Sequence, residues 1–206
     1  IKDTAMDILL LVGCLLVLLH WMKTRDERVR VGLLARHLGQ YEIEKLMATI
    51  ADGYARALGE TDGSRQAQIW NILQGAENSL CDQFRRFALD FSQLPAESTR
   101  ASKLPFSVFF TEKIAPEDCF DMRALFMLHA QALCQAASAE GGLHAKERAF
   151  TFLAEMYLMQ HSCHWFCKSK AVASARLILL HQTPHAKVLE SIAAQTRVEY
   201  LKLTTR

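Results

Sequence analysis

A chain of 206 residues, half of them hydrophobic and 22% charged, can bury a true core in one domain and is too apolar to be disordered. A formal net charge of +2 without a basic stripe gives no reason to expect nucleic acid as a partner. Six cysteines, at 14, 81, 119, 134, 163 and 167, are too sparse for a disulfide scaffold, so free thiols in a reducing compartment are expected.

The chain opens on Ile1 rather than Met, which leads us to expect residues ahead of it. The first predicted element is "AMDILLLVGCLLVLLHWM", Ala5 to Met22. Ile8 to Leu19 carries no charge, and the wider span reaches about 27 Å as a helix against about 30 Å of bilayer hydrocarbon. Leu and Val cover every face, and Trp21 stands where an indole prefers the interface. A cleavable signal peptide would carry its positive charge before the apolar run and a small-residue site after it; here most of the charge follows the run, and no A-x-A site appears. Residues 1–23 therefore read as a membrane anchor.

Lys23, Arg25, Arg28, Arg30 and Arg36 follow the span, whereas only Lys2 precedes it. The positive-inside tendency then places the rest of the chain in the cytoplasm of a bacterial-type inner membrane. Lys23, Arg25, Arg28 and Arg30 are the candidates for lipid headgroup contact.

From residue 24 to 94 we expect a juxtamembrane helix, broken at Gly39, and a helical hairpin. Ile43, Leu46, Met47, Ile50, Tyr54 and Leu58 form one apolar stripe that Gly59 can end. The turn "GETDGS" offers Asp62 or Ser64 as a cap. The next helix sets Ile69, Leu73, Leu80, Phe84, Phe87 and Phe91 at heptad-like steps, a seam that can pack internally or meet a partner. We take it as the candidate interaction surface.

Residues 95–117 hold Pro95, Pro105 and Pro116 and read as a linker or packed loop, with Phe106, Phe109 and Phe110 favouring packing. The short "FSVFF" is the one stretch of alternating pattern. Residues 118–206 read as a C-terminal helical subdomain. A helix opened by acidic residues ends at Gly141 and Gly142, and a second runs from near His144 to about Lys168. A third covers "SKAVASARLILLH", and Thr183–Pro184 starts a last helix reaching about Leu203. The fold class is all-α: one transmembrane helix, a hairpin and a C-terminal bundle.

The chemistry-bearing stretch is "QHSCHWFCKSK", Gln160 to Lys170. Phe152, Met156, Met159, Cys163 and Cys167 share one helical arc, so both thiols are expected to be core. The alternative is metal: Cys163, His164 and Cys167 supply ligands from one helix, and Cys119, His129, Cys134 or His144 would complete a zinc set. "CHWFC" lacks the C-x-x-C-H order of covalent haem attachment, and no strong metal spacing occurs. No catalytic constellation is recognisable.

These readings lead to a single-pass membrane-anchored adaptor, or an accessory subunit of a membrane assembly, with the bilayer and other membrane-complex proteins as partners. A membrane-bound metal or haem protein using residues 161–167 is the alternative. An enzyme acting on a membrane-linked substrate is the third.

Overall fold

The computed structural model describes residues 2–105, 115–138 and 145–205. Nine α-helices lie among them, with one pair of very short strands. The first helix, α1 (Lys2–Leu38), runs unbroken from the apolar segment into the domain. Met6 to Leu19 is exposed on every side; half-burial begins at Met22 and Leu34 is fully buried. One helix thus has two halves, the first bare and the second built into the core.

Next come α2 (Ile43–Gly59) and α3 (Gly63–Ser92), joined by a tight turn. Asp62 caps α3 by accepting from the N–H groups of Ser64 and Arg65, satisfying donors a helix start leaves free. Ile43, Met47, Ile50 and Tyr54 are buried as their spacing requires, while Leu58 at the helix end is exposed. The hairpin is close-packed: a Cβ at Gly53 would come 2.2 Å from Cδ2 of Leu73.

The Pro-containing segment holds a one-turn helix α4 (Ala96–Thr99) and strand β1 (Arg100–Ser102). A 3-10 turn at Pro116–Asp118 precedes strand β2 (Cys119–Asp121), antiparallel to β1 with Ala101 opposite Phe120. The middle of the chain is therefore tied across itself. Phe106, Phe109, Phe110 and the "FSVFF" stretch lie outside the described residues.

The remaining helices are α5 (Met122–Ala137), α6 (Ala145–Cys167), α7 (Lys170–His181), α8 (His185–Ser191) and α9 (Ala194–Thr204). The expected single last helix is two. Pro184 is the N-cap of α8 rather than its first residue, and the chain breaks at Ile192–Ala193. Ile192 turns inward there, and the N–H of Ala193 donates to Oε1 of the buried Glu155 at 3.1 Å. This tertiary contact has no local signature.

One apolar core runs from Leu34 of α1 through α2, α3, α5 and α6 to Tyr200 of α9. Phe84, Phe87, Phe91, Phe126 and Phe166 are its aromatic centre, packed at tilted or edge-to-face angles. A disulfide joins Cys81 of α3 to Cys134 of α5 across a Cα–Cα distance of 5.1 Å. This corrects the expectation of free thiols throughout: cysteine usage lends no support to a reducing compartment. Cys14, Cys119, Cys163 and Cys167 remain as thiols.

Candidate functional site

Helix α6 passes through the centre of the domain and presents two chemically different faces. On one face Met159, Cys163 and Cys167 look toward α1 and α2. Together with Leu34, Leu38 and Met47 they wall a half-open, largely apolar cleft of about 510 Å³. The thiols are half-buried at the edge of the core: the stripe packs against it as expected, and its last turn also lines the cleft.

Burial pushes the Cys163 thiol far up, and it raises Cys167 to about 11 against the pull of Arg176, Arg30 and Lys168. Both are protonated at neutral pH, which makes them weak nucleophiles and weak ligands. His164 is no base for them. Its Nδ1 lies 3.1 Å from Nη1 of Arg176, which can only donate, so the ring is neutral with its proton on Nε2. That Nε2 is shielded and has no hydrogen-bond partner.

Of the other proposed ligands, neither Cys134 nor His129 joins Cys163, His164 and Cys167. Cys134 is in the disulfide, His129 bonds to Ser162 on the opposite side of α6, and His144 lies outside the described residues. Among the described residues no three His, Cys, Asp or Glu side chains converge on a metal position.

The second face of α6 carries a buried polar network that sequence spacing does not reveal. Nε2 of His129 on α5 is 2.8 Å from Oγ of Ser162, which itself donates to the Leu158 carbonyl. The histidine must therefore donate to Ser162, and its Nδ1 is left buried without a partner. His161 lies 3.1 Å from Ser174 of α7 and stacks on His185 of α8 with centroids 4.2 Å apart. His185 reaches the hydroxyl of Tyr200 on α9 at 3.2 Å. Burial holds all three rings neutral, pushing His129 to about 3, His161 to about 2 and His185 to about 4. Glu155, buried on the same helix, is raised to about 7 by desolvation. Glu155, set in the apolar middle of α6 between Ala154 and Met156, was a local sequence signal for a buried polar group on this face.

A third polar element locks α3 to α6. Glu77 is fully buried, accepts from the Tyr54 hydroxyl at 2.7 Å and pairs with Arg148. The α3 seam is used up in the same core. Leu73, Leu80, Phe84, Phe87 and Phe91 are buried and Ile69 partly so, which corrects their assignment as a partner surface: α2 and α5 are the main helices covering them.

Of the four headgroup candidates, Lys23, Arg25 and Arg28 are exposed. Arg30 turns inward, against expectation. It pairs with Asp26 at 2.9 Å, donates to the Arg100 carbonyl at 3.2 Å and lies 5.9 Å over the Phe166 ring. No family model, curated protein or solved structure matches this chain.

Proposed function

We propose that the chain is a single-pass membrane protein whose helical domain acts as an adaptor or accessory subunit of a membrane assembly, on the cytoplasmic side of a bacterial-type inner membrane. The observation that carries this reading is the division of α1. Its apolar first half has no protein packed on it, and its second half is part of the domain core. Apolar surface bare on every side of a helix is costly in water and suits hydrocarbon. Because the helix does not break between its halves, the domain is held at a fixed height rather than on a flexible leash.

The adaptor reading draws support from a second feature. Ile178, Leu179 and Leu180, consecutive at the end of α7, are 47%, 75% and 59% exposed. Three adjacent exposed apolar residues are unusual unless something covers them. The test is fractionation of cells expressing the full chain, followed by native mass spectrometry with and without L179D. Membrane-bound material carrying a defined companion that L179D releases is the expected result. Freely soluble protein overturns the anchor, and a lone membrane-bound monomer overturns the adaptor.

A further inference from the structure

The direction in which α6 packs on α1 fixes which end of the domain faces the lipid. Lys168 at the end of α6 places its Nζ 2.6 Å from Oε2 of Glu27, and Phe166 lies under Arg30. Met159, near the middle of α6, shares the cleft with Leu38 at the far end of α1. The two helices are therefore antiparallel, and the C-terminal end of α6 points back toward the apolar segment. Glu27 is about 7.5 Å along α1 from Met22, where that segment ends. The junction of α6 and α7 thus stands at the height of a headgroup layer, within the Debye length of about 8 Å at physiological salt.

The chemistry of this end is cationic. Asp26 is taken by Arg30, and Glu27 is shared by Lys23 at 3.9 Å and Lys168 at 2.6 Å. Among the described residues Arg25, Arg28 and Lys170 have no acidic partner. Arg25 lies over the Trp21 ring at 5.7 Å and Lys170 over Trp165 at 4.9 Å. The last carbonyls of α6 carry partial negative charge that anionic lipid would repel, and Lys168 and Lys170 offset it. Ser169 closes the junction by capping α7, and the Ala171 N–H donates to the Pro105 carbonyl at 2.9 Å, so the end is a fixed surface.

We propose that the base of the helical domain, where α6 ends and α7 begins, seats on anionic phospholipid headgroups through Lys168 and Lys170, beside Lys23, Arg25 and Arg28 of α1. This rests on the reading of α1 as a membrane span. It adds that the domain does not merely hang from the bilayer but lies on it, with a preference for negative lipid.

Amine acylation read residue by residue tests it. Only the neutral amine reacts. A surface potential of about −30 to −50 mV concentrates protons and lowers the neutral fraction of a nearby lysine about threefold to sevenfold. The full chain is reconstituted in nanodiscs of phosphatidylcholine alone or with phosphatidylglycerol, and acetylation rates are measured by mass spectrometry. We expect Lys23, Lys168 and Lys170 to slow by that factor with phosphatidylglycerol and to recover in 1 M salt. Lys146, about 33 Å away along α6, should keep its rate. Slowing at Lys23 alone overturns the proposal while leaving the anchor intact, because it means the domain stands off the surface. Protein that does not enter nanodiscs of either composition overturns the anchor and the proposal with it.

Discussion

Lowering the pH from 7 to 5 is expected to remove a large part of the stability of this domain, and the buried histidines fix the size of the effect. In the unfolded chain His129, His161 and His185 titrate near 6.5; in the folded one burial holds them near 3, 2 and 4. A histidine with a depressed folded pKa contributes no penalty above 6.5. Below it, the unfolded chain takes up a proton the folded chain cannot, and stability falls by about 1.4 kcal/mol per pH unit per ring. At pH 5 this is about 2 kcal/mol for each ring and about 6 for the three. Glu155 works the other way. Its carboxyl is raised from 4.5 to about 7, so the folded state gains its proton first as pH falls, which returns about 2 kcal/mol over the same interval. The net loss is about 4 kcal/mol, against a typical total of about 5–15 for a domain. Urea unfolding in detergent, followed by circular dichroism at pH 7 and pH 5, measures it directly. H185Q, which keeps a partner for Tyr200 but cannot titrate, should reduce the net loss by about one half, to about 2 kcal/mol. Equal stabilities at the two pH values would refute the burial of this cluster.

Three further outcomes follow from the packing. The Cys81–Cys134 bond closes a separation of 53 residues, so C81S/C134S should lose about 4 kcal/mol in oxidised protein on the chain-entropy model and nothing in reductant; under the proposed cytoplasmic orientation, alkylation in intact cells should label both residues as thiols. R148M leaves Glu77 buried beside only the Tyr54 hydroxyl and should cost about 3 kcal/mol in denaturant unfolding. Gln182 ends α7 in the left-handed region at φ 52°, alone among the described non-glycine residues, and Q182G should raise stability by about 1 kcal/mol.

The parts of this fold that were legible in the sequence are those fixed by local chemistry. The stripe on α2, the cap at Asp62 and the end of α1 before Gly39 each follow from a few neighbouring residues. The apolar character of Met6–Leu19 follows from composition alone. What escaped is set by distant contacts. Strands β1 and β2 have three residues each, too few for an alternating pattern, and exist because they pair. The break between α8 and α9 depends on Glu155, far away in sequence. The α3 seam was legible as a seam but not as an internal one. Its spacing is the same whether its cover is another helix of the chain or a partner. Periodicity gives the face, not what covers it.

The two faces of α6 separate the anchor from the acid-sensitive part of the molecule. Met159, Cys163 and Cys167 face α1 and α2, Lys168 reaches Glu27 and Arg30 lies over Phe166, so among the described residues attachment to the first helix includes apolar contact, an ion pair and a cation–ring contact. His161 and Ser162, on the other side, hold α5, α7 and α9 through groups that must stay uncharged. Protonating the network strains only this second face. His164 lines the cleft and also needs a neutral ring, but its partner Arg176 belongs to α7, so protonating it adds to the strain on α7 and leaves the Lys168–Glu27 pair intact. A domain built this way can loosen α7–α9 in acid while α6 stays docked on α1. The height of its base above the end of the apolar segment is then set by the helix itself and not by the state of the histidines.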